Sequence, residues 1–326
     1  MKYCDVCGTL NPRENNFCIH CGNKLISEHF CHYCGELNLD DAIVCTKCGM
    51  QINPIVIDDF DTFFSEYNFE LLSNAQIGDD EYQILVSNIF KRADYFEIKG
   101  NNIKNKILNF ANAFAECETK SRGYERGSIY LGNKICYDDR LNDSVQIATI
   151  IHELAHYLLF LIIDSLLCKI LRVNTSSTIQ SFTWYFLTLP EFRIMNEYCA
   201  HTVEGRFIPY GYQNYGSFNL LVKRLEIEED ALTGMVVFGN TFANEIIEHL
   251  EKFIDEDLRD EIKIQYRKDA AAPTYKSILR ETTDSLPLNI KNMTLLRILF
   301  DIFKEASNED VRKELDEIKK EVESNY

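Results

Sequence analysis

Ile151-His152-Glu153-Leu154-Ala155-His156 lies between two apolar runs, Val145-Gln146-Ile147-Ala148-Thr149-Ile150 before it and Tyr157-Leu158-Leu159-Phe160-Leu161-Ile162-Ile163 after it. An α-helix turns once in about 3.6 residues, so His152 and His156 stand one above the other on a single face with their imidazoles converging. A helix that is apolar on nearly every side is a core helix. Buried imidazoles and carboxylates cost several kcal/mol unless they find partners or a metal ion. Packing or surface charge is the competing explanation for two histidines four apart, and the apolar flanks argue against it. Glu153, one step round the helix, faces the same point without being forced into direct contact with an ion. From there a carboxylate can take the proton of a water molecule that the ion activates.

On these residues the chain resembles the zincin metallopeptidases, whose active-site helix carries H-E-x-x-H. Such a site needs a third protein ligand, leaving a fourth position for water. A third histidine six residues beyond the second is absent, because position 162 is Ile. Asn196-Glu197-Tyr198-Cys199-Ala200 instead matches the N-E-x-x-[AS] pattern of the thermolysin-like zincins. That resemblance implies Glu197 as the third ligand. His201, four residues on and on the same helical face, is open between third ligand and donor to the oxyanion. Glu204, three further on, continues the stripe as a partner for a ligand. The chain is also similar to the ImmA/IrrE-like peptidases, which combine H-E-[LF]-[GA]-H with a downstream glutamate-alanine helix ending in proline. Glu197, Ala200 and Pro209 stand in those places. Those relatives have a shorter gap between the two helices and often cleave transcriptional repressors. The resemblance implies zinc that polarises a peptide carbonyl, with Glu153 as general base and His201 as a second catalytic candidate.

The first fifty residues are a duplicated unit. Cys4-x2-Cys7-x10-Cys18-x2-Cys21 recurs as Cys31-x2-Cys34-x10-Cys45-x2-Cys48, each cysteine 27 positions after its counterpart. Two C-x-x-C knuckles make one tetrahedral Cys4 site, so the spacing predicts two structural zinc ions in a segment too short to fold on its own core. It resembles the double zinc-ribbon modules of many bacterial proteins. His20 and His32 sit beside ligands without being needed as ligands.

The chain has 326 residues, 46% of them apolar, which is room for one catalytic domain of ordinary size and a small module. Its formal charge is −17. The first 50 residues hold four Lys/Arg against six Asp/Glu, a balance of −2, so the remainder carries −15. A surface that acidic repels phosphate backbones, which makes nucleic acid a poor partner and leaves protein binding or a structural role for the ribbons. Eight of the twelve cysteines are paired as C-x-x-C, and Met1-Lys2-Tyr3-Cys4 lacks the apolar run of a secretory signal. Reduced thiols and a cytoplasmic location are therefore expected. Cys117, Cys136, Cys168 and Cys199 read as plain buried thiols. Only ten residues separate the charges of Glu153 and Asp164, too few to span a membrane.

Between these signals, Pro54 and Asp58-Asp59 mark residues 51–61 as a linker. Residues 62–120 read as mainly helical, from the spacing of Tyr82 to Ala93 and of Ile103, Ile107, Phe110 and Phe114. Gly127 to Tyr137 reads as strand, turn, strand, either an edge pairing with extended substrate or an interior strand. Phe182-Thr183-Trp184-Tyr185-Phe186 is open between a cleft wall and the core. Pro190 opens the helix that presents Glu197, running to about Phe207. The resemblance to thermolysin-like enzymes implies a tyrosine or histidine donor to the tetrahedral intermediate, and the choice among Tyr198, Tyr210, Tyr212 and Tyr215 is open. Glu245 to Asp260 reads as one amphipathic helix. Val311, Leu315, Ile318 and Val322 mark a last one, solvated or in a coiled coil.

The expected fold class is α+β: two Cys4 ribbons over 1–50, then a mostly helical zincin-like domain with a small sheet over 62–326. The expected function is a zinc-dependent metallopeptidase acting on a peptide or protein substrate, with one catalytic and two structural zinc ions. Two other classes stand beside it: a non-catalytic scaffold or binding protein that keeps the fold, and a metal-dependent hydrolase of another bond.

Overall fold

The computed structural model describes residues 57–66, 78–93, 103–119, 127–130, 134–171, 173, 175–213, 215–270 and 308–324. Of the first fifty residues it describes 2–3, 10–11, 17, 28–30, 37–39 and 45–47. In that N-terminal part, β1 (Lys2–Tyr3) pairs antiparallel with β2 (Leu10–Asn11), and β3 (Glu28–Phe30) with β4 (Leu37–Leu39). Two short hairpins follow the duplication seen in the cysteines. Among the described residues the rest of the fold is mostly helical, with one small sheet.

The helical domain begins earlier than the linker assignment of 51–61 allows. Ile57 is fully buried, its carbonyl accepts from the Ser176 hydroxyl at 2.7 Å, and helix α1 (Phe60–Glu66) starts inside that stretch. The apolar Ile57 and Phe60 are anchors rather than spacer, and residues 51–56 lie outside the described residues. Helix α2 (Asp79–Phe90) runs into a short 3-10 turn (Lys91–Ala93), and α3 (Ile103–Asn112) buries Ile107, Phe110 and Ala111. Asn112 ends α3 and starts the sheet: its amide donates to Leu108 O at 2.8 Å and its Oδ1 accepts from Cys117 N at 3.0 Å.

The sheet has three strands in the order β5 (Glu116–Thr119), β7 (Lys134–Tyr137), β6 (Gly127–Tyr130). β7 is central, paired parallel to β5 (Cys117 opposite Ile135) and antiparallel to β6 (Ser128 opposite Cys136). The expected strand-turn-strand is thus β6 and β7, with β6 at an edge, while β5 falls within the stretch 62–120 that the sequence pattern makes mainly helical. After β7 the chain turns at Asp138, whose carboxylate takes the Arg140 backbone N–H at 3.0 Å and its Nε–H at 2.8 Å, and enters α4 (Asp143–Leu171).

Helix α4 is the axis of the domain. It touches α2, α3, β6 and β7, and then the later helices α5 (Ser177–Thr188), α6 (Pro190–Phe207), α8 (Glu229–Phe253) and α9 (Glu256–Asp269). Asp143 in its first turn and Lys169 in its last complement the helix dipole. Leu158, Leu159, Phe160 and Ile162 are fully buried, each stabilising by about 1.5–3 kcal/mol. By length and composition α4 could cross a membrane, but 89% of its most apolar window is buried inside the protein. Trp184 stacks on Phe160 with ring centroids 4.3 Å apart, which puts the aromatic run of α5 in the core and not on a cleft wall.

Helix α6 lies between α4 and α8. Its approach to α8 is close at Gly239, where an added Cβ would stand 2.7 Å from Met195 O. Helix α7 (Gly216–Leu225) packs on α6. The amphipathic stretch from Glu245 is two helices, because the Asp255 side chain accepts from Leu258 N at 2.8 Å and begins α9. Helix α10 (Glu309–Ser324) buries Val311, Leu315, Ile318 and Val322, chiefly against α5. Lys319 and Arg312 reach Asp58 O and Asp61 beside α1, so this helix packs within the chain.

Candidate metal centre

Two helices build the centre. Position 152 on α4 is half-buried and 156 is buried, and the contact with α6 puts Asn196, Glu197, His201 and Glu204 opposite them. His152 Nε2 and His156 Nε2 are 3.2 Å apart. Glu197 presents Oε2 4.0 Å from His152 Nε2 and Oε1 4.0 Å from His156 Nε2. Donor atoms bound tetrahedrally to one zinc ion at about 2.1 Å lie about 3.4 Å from each other. The triad is within a small side-chain adjustment of that spacing.

The far nitrogens decide which atoms are available. His156 Nδ1–H donates to Asn196 Oδ1 at 2.7 Å, and His152 Nδ1–H donates to Glu204 Oε2 at 3.1 Å. Both rings therefore turn Nε2 toward the shared point, the orientation that carboxyl or carbonyl oxygens impose on metal-binding histidines. Burial works against a charge on His152, but the Glu204 hydrogen bond and charge, with Glu153 and Glu197, override it and raise its pKa to about 9. Burial lowers His156 to about 4, with the neighbouring imidazoles of His152 and His201 adding to the effect. So arranged, His152 carries the proton between the rings and His156 accepts it. An ion replaces that proton when the donor set binds metal.

Glu197 is held below the usual carboxylate range: burial would raise it, while His156, His152, His201 and the Ser217 hydrogen bond lower it. Burial would raise Glu204 too, yet its hydrogen bonds from His152 and His201 bring it to about 2. Glu204 is thus a fixed anion between two imidazoles. Glu153 is buried beside His152, whose charge it favours.

His201 is near enough to take part, since the donor atoms of His152, Glu197 and His201 also lie within 4.8 Å of one another. Its own bonds argue against a ligand role. Nδ1 faces the ionised Glu204 at 3.3 Å, and Nε2 faces Ser217 Oγ at 2.6 Å, whose single proton goes to Glu197 Oε2 at 2.7 Å. Both ring nitrogens are thus engaged by neighbouring side chains. The geometry favours His152, His156 and Glu197 as the donor set, with His201 as a hydrogen-bond donor beside it.

Of the tyrosines near this helix, Tyr215 lies tilted against His201 with ring centroids 5.3 Å apart and Tyr198 is buried, whereas Tyr212 packs on Tyr266 and Tyr210 is 87% exposed. Cys199 is fully buried, and burial pushes its thiol far up, out of the nucleophile range. Two participants went unassigned in the sequence. Asn196 stands inside the N-E-x-x-[AS] pattern, which could have flagged it as a partner of His156. Ser217 carried no signal, because only the turn before α7 brings it back onto α6.

In the N-terminal module Cys45 is the described cysteine. It is buried, and its Sγ accepts from Lys47 N at 3.4 Å and from Asn38 Nδ2 at 3.5 Å, the bonds that steady a metal-binding thiolate. Cys4, Cys7, Cys18, Cys21, Cys31, Cys34 and Cys48, with His20 and His32, lie outside the described residues. Comparison with known proteins gave no match among curated proteins or solved structures. The family model described as Double zinc ribbon matches residues 4–49, and the chain carries that module at its N-terminus.

Proposed function

We propose that the helical domain is a zinc-dependent metallopeptidase in which His152, His156 and Glu197 hold the ion and Glu153 is the general base. The observation that supports this best is the convergence of two Nε2 atoms 3.2 Å apart with a carboxylate 4.0 Å from each, both rings being fixed from behind by Asn196 and Glu204. Zinc bound there supplies Lewis acidity, polarising a carbonyl and making a water molecule more acidic. Glu153 takes the proton of the attacking water on its carboxylate and delivers it to the departing amine nitrogen. His201 lies at the rim of the site, where its ring steadies negative charge that develops there. Glu204 keeps the rings of His152 and His201 in one orientation throughout. The edge strand β6, packed beside α4, offers backbone groups to an extended peptide.

On the same reading the ribbons hold two structural zinc ions, and their −2 charge balance suits a protein partner better than nucleic acid. The eight paired thiols suit a reducing, cytoplasmic setting. The test is hydrolysis of a peptide library by the zinc-loaded chain and by Glu153→Gln. The variant should keep its zinc and lose turnover by about 10²-fold or more. Equal turnover would remove Glu153 from the chemistry. Zinc-loaded protein inert toward every peptide would favour a binding module.

A further inference from the structure

Helix α7 does more for the metal centre than cover it. It starts after a turn in which Gly211 takes a positive φ of 86°, and Tyr215, Phe218 and Leu221 lock it into a small apolar cluster with Ile194 and Tyr198 of α6. Burial of Phe218 sets the rotation of the helix, and its neighbour Ser217 comes out at the rim of the centre. Ser217 is exposed. A surface hydroxyl ordinarily satisfies itself with water, but this one has two protein partners of opposite kind, Glu197 Oε2 at 2.7 Å and His201 Nε2 at 2.6 Å.

An ionised carboxylate only accepts, so the serine proton goes to Glu197. The same Ser217 oxygen stands 2.6 Å from His201 Nε2. His201 Nδ1–H then goes to Glu204 Oε2 at 3.3 Å, which also receives His152 Nδ1–H at 3.1 Å. Four hydrogen bonds in series therefore join Glu197 to His152, through Ser217, His201 and Glu204. Ser217 is the exposed link of that chain.

We propose that Ser217 is a positioning residue of the metal centre: its hydroxyl holds Oε2 of Glu197 and closes a hydrogen-bonded loop that fixes the third ligand relative to the first. This rests on Glu197 being a ligand. With the loop closed, the carboxylate is held at 4.0 Å from both Nε2 atoms before any ion arrives. With it open, Glu197 is free to rotate into the solvent at the rim, and the ion must organise its own ligand.

The test is zinc affinity of the full chain, read as occupancy of the most weakly held ion in a series of chelator-buffered zinc solutions, for wild type, Ser217→Ala and Ser217→Thr. Helical circular dichroism checks that the fold is kept, which an exposed serine near a helix start should allow. Loss of a bond to a ligand weakens binding about 10–100-fold, and Ser217→Ala is expected in that range. Ser217→Thr keeps the hydroxyl and is expected close to wild type. Wild-type affinity in Ser217→Ala, or equal weakening in both variants, overturns the positioning role while leaving the centre intact. A wild-type chain with no ion beyond those of the ribbons overturns the centre and the loop together.

Discussion

The ribbon module and the proposed helical metal centre assemble their donors by opposite routes. In the module each pair of thiols comes from one C-x-x-C knuckle, so four ligands are supplied by two short stretches of one segment. In the helical domain two imidazoles come from α4 and a carboxylate from α6, and the bonds that aim them come from Asn196, Glu204 and Ser217. A closed set of four thiolates saturates zinc and stabilises a segment with almost no core. A set of three on large buried helices leaves a coordination position open and depends on packing for its geometry. The first plan holds a fold together, and the second is suited to chemistry.

The two regions should therefore fail independently. Cys45→Ser is expected to release one ribbon zinc, removing a binding free energy on the order of 10 kcal/mol, while the thermal transition of the helical domain stays put. A joint loss of both transitions would erase the distinction. In the other direction, His156→Ala should empty the helical centre and spare the ribbon ions, as counted by mass spectrometry of the native protein. Next in size is Asn196→Leu, which deprives His156 Nδ1–H of its 2.7 Å acceptor; zinc affinity at the helical centre should fall about 10–100-fold.

The dependence on packing predicts an inverted glycine effect. Gly→Ala inside a helix ordinarily stabilises by up to about 1 kcal/mol. At Gly239 the added Cβ would lie 2.7 Å from Met195 O, next to Asn196 and Glu197 of the proposed metal site. Gly239→Ala should instead destabilise by about 1–3 kcal/mol and weaken zinc binding, visible as a lowered melting temperature. A more stable variant would show that α6 and α8 have room to spare. Smallest is the effect on the thiols outside the module. Burial, with lesser contributions from Cys136 and Glu116, pushes the Cys117 thiol up to about 12. Because the thiolate reacts, alkylation of Cys117 in native protein should be very slow at pH 8 and rise about tenfold per pH unit toward 12. Rapid labelling at pH 8 would place it outside the core.

What could be read from the residues follows the same division. Register alone exposed the ribbons, because eight cysteines repeating at one offset have no other economical explanation. The i, i+4 histidines on an apolar stretch likewise marked α4, and Pro190 marked the start of α6. Long-range pairing was not legible. Glu116-Cys117-Glu118-Thr119 is short and polar, and its partner β7 lies parallel beyond another strand, so nothing local announced β5. The break between α8 and α9 hides in a charged run where Asp255 looks like any other surface acid until its carboxylate is seen on Leu258 N. Ser217 depends on the turn after α6, and the close crossing at Gly239 on the packing of two helices. Neither leaves a trace in a single stretch of sequence.

The most direct measurement is the zinc content of the intact chain beside Glu197→Ala. Three ions per wild-type chain and two in the variant are expected, the missing one being that held between α4 and α6. Two ions in both proteins would mean that the paired imidazoles share only a proton, and the open metal centre would have to be given up.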